Sequence, residues 1–236
     1  MSWTQKYGPF FFLNVGGKPA IVIGSHKVAT DLLEKRGGIY SGRPRYIVAD
    51  ETMTGGLVFA FRPYADSCRR MRRASHEVFS HQVAKNYHKL QSLEAVLLVK
   101  DLFKTPEFYI RHIHRATASS LLSALYGLPP CLDPFSPTLV LVNEVTETVL
   151  DAAAPGRYLV ESFPFLKYLP SRLCNWKRYA ESVFLKANDL FQSLYKEVEN
   201  RIEMGEVTPS VTTSLVQDPI HKDLTSQEKA WVAGTL

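Results

Sequence analysis

Residues 64–79, YADSCRRMRRASHEVF, place four arginines (Arg69, Arg70, Arg72 and Arg73) within five positions and close on apolar Val78 and Phe79. With no Pro or Gly inside it, the run reads as one helix. At 3.6 residues per turn Cys68, Arg72 and His76 stack on one face while Arg70 points almost oppositely, so the arginines divide between at least two tasks. One reading is a solvated basic face. The other is an anion site: a guanidinium keeps its charge and offers a rigid fork of donors suited to carboxylate or phosphate, so an arginine turned toward apolar neighbours calls for an anionic partner.

Working outward, Phe10 to Val15 and Ala20 to Ile23 are β-rich runs flanking Gly16-Gly17-Lys18-Pro19, a hairpin signal. Ser25 stands at an N-cap position, and His26 to Arg36 carries Val28, Leu32 and Leu33 on one stripe before Gly37-Gly38. Residues 45 to 63 have weak periodicity and read as a loop. From Ala84 onward the pattern is helical. Leu90, Leu93, Leu97 and Phe103 mark one helix; Thr105-Pro106 starts a second that halts at Gly127, and Ser136-Pro137 starts a third that ends near Pro155-Gly156. Residues 157 to 173 are aromatic, apolar and broken by Pro164 and Pro170, which reads as a buried connector. Asn175 to Met204 then forms a long amphipathic helix with Tyr179, Val183, Phe184, Leu190, Phe191, Leu194 and Val198 on its apolar side. Thr225-Ser226-Gln227-Glu228 is a capping box that opens a last helix through Trp231, Val232 and Leu236.

Composition narrows the class. A chain of 236 residues with 45% hydrophobic and 22% charged residues is that of an ordinary folded protein, and a net charge of +5, much of it in one cluster, describes a local basic face rather than a nucleic-acid binder. Cys68, Cys131 and Cys174 are an odd number without C-x-x-C spacing, which argues against a disulfide framework or a zinc site. His112 and His114, two apart on a helix, face different directions and form no metal pair. No run approaches the ~18 apolar residues of a membrane-spanning helix.

With its flanks Phe61-Arg62-Pro63 and Ser80-His81, the arginine run resembles the third long helix of the cytochrome P-450 family, the haem-thiolate monooxygenases, nearest to the fungal microsomal type. The hairpin, the helix after it and Tyr40-Ser41-Gly42-Arg43-Pro44 resemble the start of that family's haem domain, and residues 225–236 resemble the opening of its long distal helix. The resemblance implies a mainly α fold with an N-terminal β-hairpin, and one incomplete domain over residues 1–236, the N-terminal half of the family's domain. It implies oxygen insertion from O₂ into a small organic substrate, with haem as cofactor and electrons from NADPH through a reductase.

Residue by residue, the resemblance puts the family's propionate-binding Trp-x-x-x-Arg pair on Cys68 and Arg72, with Cys in place of Trp. It makes Val58, Phe59 and Phe61 substrate-pocket candidates and Arg69, Arg70 and Arg73 a reductase-facing surface, and it lays residues 157–173 at a substrate entrance that touches the membrane. Microsomal relatives are bound to the endoplasmic reticulum by an anchor, whereas this chain opens at Tyr7-Gly8-Pro9, so either the anchor is absent or the start is truncated. The Phe-x-x-Gly-x-x-x-Cys-x-Gly loop that carries the iron-binding cysteine is not in the sequence, nor is any Glu-x-x-Arg. The chain alone is therefore expected to be inactive. A non-catalytic haem- or ligand-binding remnant, or a basic helical protein that binds an acidic partner, are the other readings.

Overall fold

The computed structural model describes residues 3–15, 17–78, 85–217 and 223–235. Phe79, Ser80-His81, Ala84 and Leu236 lie outside them, as does the side chain of His76. The residues form two compact units, one up to Pro44 and one from Arg45 onward.

In the first unit, helix α1 (Trp3–Tyr7) precedes an antiparallel hairpin of β1 (Phe10–Val15) and β2 (Lys18–Ile23). Val15 pairs with Lys18 and Phe10 with Ile23, so the second strand starts two residues earlier than its β-rich run suggests and includes Pro19. A two-stranded sheet has only edge strands, where proline is tolerated. Trp3 and Tyr7 pack their rings on Phe11 at 6.3 and 5.9 Å. Ser25 caps helix α2 (His26–Ala29) by accepting from Val28 N–H, and the chain continues through a π-helical turn, Thr30–Glu34. The Gly37-Gly38 stop opens a further single turn, α3 (Gly37–Tyr40).

The second unit is helical: α4 (Asp66–Val78), α5 (His88–Lys104), α6 (Tyr109–Tyr126), α7 (Pro137–Ala152), α8 (Asn175–Glu203), α9 (Val211–Gln217) and α10 (Ser226–Gly234). Its core forms around α8, which buries Ala180, Val183, Ala187, Leu190, Phe191, Leu194, Tyr195 and Val198 at helical spacing. Tyr179, read as part of that apolar side, is half exposed, and the small residues Ala180 and Ala187 take the buried positions. Gly127 ends α6 in the left-handed conformation (φ +64°), and Arg201 of α8 donates to the carbonyls of Tyr126 (2.6 Å) and Gly127 (3.3 Å). A cation there satisfies orphan carbonyls and complements the helix dipole.

Three expectations change. Residues 45–63 are not simply loop: Ile47–Thr52 is a π-helical turn with Ile47, Val48, Ala49 and Asp50 buried. A short turn whose first four residues, an aspartate among them, are all buried has no readable apolar period. The Thr105 and Ser136 side chains do not cap the helices they precede; the Thr105 hydroxyl lies 2.9 Å from His112 Nε2 instead. The connector buries Val160 but leaves Leu159, Phe163, Phe165, Tyr168 and Leu173 exposed.

The capping box of α10 is present in both directions, Glu228 N–H to Thr225 Oγ1 at 3.2 Å and Thr225 N–H to Glu228 Oε2 at 2.8 Å. This helix buries Ala230, Trp231, Val232 and Ala233 completely. It approaches α8 so closely that a Cβ on Gly234 would stand 2.4 Å from Phe191 Cδ1. Gly234→Ala should therefore lower stability by about 1–3 kcal/mol through overpacking. A urea midpoint equal to that of the unaltered chain would refute this close approach.

Candidate functional site

The arginine helix meets the core through Cys68, Met71, Ala74 and Ser75, all buried, and that stripe fixes where the four arginines go. Arg69 reaches back to Asp66 (3.3 Å) and lies over the Tyr64 ring, exposed. Arg72 and Arg73 are exposed and have no ion-pair partner among the described residues. Arg70 sits at the opposite border of the stripe, not on a free outer face. Its guanidinium approaches the Asp223 carbonyl at 3.3 Å, the Asp223 carboxylate at 4.0 Å and Glu228 Oε1 at 3.6 Å, tying α4 to the start of α10. Glu228 thus divides its oxygens, one for the helix cap and one for Arg70.

Cys68 and Arg72 share the side of the helix that their spacing specifies, but at different depths. The Cys68 thiol is buried and donates to the Phe59 carbonyl at 3.7 Å, whereas Arg72 projects to solvent. Four residues advance a helix by slightly more than one turn, which carries position 72 off the buried stripe that holds position 68. For a haem, the fit is partial. Arg72 is a free guanidinium of the kind that binds a propionate. Cys68, Cys131 and Cys174 are free thiols, Cys68 and Cys174 buried, and no group of three or more His, Cys, Asp or Glu among the described residues could hold a metal.

Beside α10 is a cavity of about 550 Å³, within the range of small-molecule sites. Its wall is mostly apolar, with Val58 and Phe61 from the loop, Leu121 and Leu125 from α6, Val149 from α7 and Trp231 from α10. Phe59 is not in that wall. Trp231 is held by three contacts on α8: stacking on Phe184 at 5.7 Å, an edge contact with Phe191 at 5.1 Å and Nε1 donation to Asn188 Oδ1 at 3.1 Å. Tyr126 also borders the cavity, and burial pushes its phenol well above the ordinary value, so it stays neutral.

The loop that supplies Val58 and Phe61 is fastened to the connector. Glu161 accepts from Ile47 N–H (3.1 Å) and Val48 N–H (2.9 Å), and Glu51 pairs with both Arg45 and Lys167. No sequence signal marks Glu161, whose partners are more than a hundred residues away, nor the pairing of Glu51 with Lys167, which spans 116 residues. The hydrogen bond from Arg45 holds the Glu51 carboxyl below its ordinary value, against burial and with help from Lys167. Burial raises that of Asp50, against the pull of Arg62.

The family model described as cytochrome P-450 matches residues 1–230. A cytochrome P-450 monooxygenase of Armillaria gallica is 41% identical over 232 residues, covering 98% of this chain and 44% of its own length. One of Postia placenta is 36% identical over 234 residues (99% and 44%), and one of Amanita muscaria 33% identical over 235 residues (100% and 41%). The chain thus spans less than half the length of these curated relatives. In a zebra fish cytochrome P-450 solved with progesterone the same fold recurs at 19% identity, with a TM-score of 0.70 over 98% of this chain and 53% of that one.

Glu51 gives the site a pH dependence. Its folded value lies below its unfolded one, so the stability it contributes is fully present above the unfolded value and is lost as pH falls through the depressed folded value. In Glu51→Gln the loss of stability on acidification should be shallower; equal slopes for the two proteins in urea titrations would show that the Arg45 and Lys167 pairs contribute nothing.

Proposed function

This chain belongs to the cytochrome P-450 family, and from that premise we propose that it is the N-terminal half of a fungal microsomal haem-thiolate monooxygenase that oxidises an apolar organic substrate. When bound, haem would supply the oxygen-activating chemistry, with its thiolate ligand outside this sequence and electrons from NADPH through a reductase. The residues here would position and enclose. Val58 and Phe61 line an apolar cavity that suits a small organic molecule, and closure of such a cavity excludes water from a reactive site. Arg72, charged and without an ion-pair partner among the described residues, would hold a haem propionate. Arg69 and Arg73 would belong to the basic surface offered to an acidic reductase, while Arg70 is already engaged by Asp223 and Glu228.

The observation that supports this reading is that Arg72, exposed and without an ion-pair partner among the described residues, stands on α4, which packs against α10, a helix that walls an apolar cavity. The exposed Leu159, Phe165 and Tyr168 of the connector, beside Lys167 and Arg172, suit contact with a lipid surface. Among the described residues no helix is long and apolar enough to cross a membrane.

Haem transfer to an acceptor apoprotein tests the assignment. In this chain joined to a catalytic half, Arg72→Ala should speed haem loss about tenfold, the lower end of what a hydrogen bond to a charged group contributes. Arg70→Ala should leave the loss rate nearly unchanged. Equal acceleration by the two variants would remove Arg72 from the propionate role. The chain alone should not give the red-shifted ferrous–CO band of thiolate-ligated haem.

A further inference from the structure

The Ile47–Thr52 turn has no local cap: Tyr46 precedes it, and no side chain there makes a capping hydrogen bond. The first N–H groups of a helical turn have no partner within it, and buried ones need an acceptor from elsewhere. Glu161 supplies one for each, Oε2 to Ile47 N–H at 3.1 Å and Oε1 to Val48 N–H at 2.9 Å. Both bonds are charge-assisted, and a carboxylate suits the positive end of a helical turn. Glu161 is itself rooted, since its neighbour Val160 is 1% exposed and belongs to the core. Further along the connector, Lys177 of α8 donates to the carbonyls of Lys167 (3.1 Å) and Leu169 (3.2 Å), which holds that segment to the long helix.

From the turn to the apolar cavity the backbone is bonded in series. Met53 N–H donates to the Val48 carbonyl, and Thr54 Oγ1 and Gly56 N–H both donate to that of Asp50, each at 2.8 Å. Leu57 N–H then reaches the Thr54 carbonyl (2.9 Å) and Phe61 N–H that of Val58 (3.1 Å). Thr54, Val58 and Phe61 stand in the cavity wall, whereas Glu161 is not among the residues lining it. The turn also packs on α7 and α8. Apolar packing is non-directional and leaves the turn free to rotate about its axis, while two hydrogen bonds at one end do not. We propose that Glu161 is a positioning residue for the apolar cavity. It touches no ligand; its two hydrogen bonds set where Val58 and Phe61 stand, and hence which apolar molecules fit. The role rests on the reading of that cavity as the substrate site.

Methyl-labelled chain titrated by NMR with toluene and with 1-methylnaphthalene, one ring larger, tests this. The methyls of Leu125 and Val149 in the wall report binding, and the quantity read is the ratio of the two affinities in the folded chain. Glu161→Ala should change that ratio at least about threefold, a fraction of what one methylene is worth in an apolar pocket. Glu161→Gln, whose amide oxygen remains an acceptor, should change it less and in the same direction. A residue that only stabilises the fold would lower the thermal midpoint and leave the ratio as it is, and that result overturns the positioning role. Should Glu161→Ala not fold, Glu161→Gln against the unaltered chain decides by the same ratio. Leu121→Trp, at a 42% exposed position of the wall, should abolish both titrations. Binding that Leu121→Trp leaves unaltered would remove the cavity as a ligand site and the positioning role with it. Binding that it abolishes, with an unchanged ratio in the Glu161 variants, would overturn the positioning role alone.

Discussion

Burial of Trp231 against the long helix is the contact on which the second unit depends. The indole is 1% exposed, stacked on Phe184, edge-on to Phe191 and hydrogen-bonded to Asn188, so α10 has one seat on α8. Stacking and edge contacts of this kind add to area burial, and the satisfied N–H avoids the cost of an orphan donor. The seat fixes more than α10. It places Glu228 where Arg70 can reach it, which sets the arginine helix, and it puts Trp231 into the wall of the apolar cavity. Gln227 donates to the same Asn188 oxygen at 2.8 Å, so one amide orients two residues of the helix.

A second constraint acts at the other end of the unit. Arg115 and Glu94 are both nearly inaccessible, and Ser119 also donates to Glu94 while the Cys131 N–H donates to Ser119 Oγ at 2.7 Å. A buried pair adds little net stability relative to apolar residues, but removing either partner leaves an uncompensated charge, a loss of about 3–5 kcal/mol. The pair therefore acts as a registry device: it accepts one relative placement of α5, α6 and the segment after Gly127, and penalises the others.

What the sequence reveals and conceals follows from the range of the interactions. The hairpin, α8, the Gly127 stop and the Thr225 capping box are legible because their causes lie within a few residues: paired β-rich runs, a 3.6-residue apolar period, a left-handed glycine, a reciprocal cap. The Ile47–Thr52 turn is not legible, because Glu161 caps it from more than a hundred residues away and its burial erases any period. Of the pocket candidates, Val58 and Phe61 stand in the cavity wall and Phe59 does not. Arg115 carries no local mark at all, being one arginine in a helix whose acids lie 14 and 21 residues upstream. Periodicity assigns a face to Arg70 but not its acidic neighbours, which come from the far end of the chain.

The division of the arginine cluster also bears on the cysteine at position 68. Position 68 lies inside the packed stripe with Met71 and Ala74, and its thiol is spent on the Phe59 carbonyl in the loop that walls the cavity. An indole there would have to displace that loop or turn the helix, and forcing extra volume into a packed site costs about 1–3 kcal/mol. Turning the helix would in addition pull Arg70 from Asp223 and Glu228. The small side chain at 68 and the acidic neighbours of Arg70 therefore belong to one packing solution, in which α4 lies close on α10 and Arg72 and Arg73 are left without an ion-pair partner among the described residues. A large donor such as an indole is not gained by substituting position 68 alone, because the space it would occupy is already part of the core.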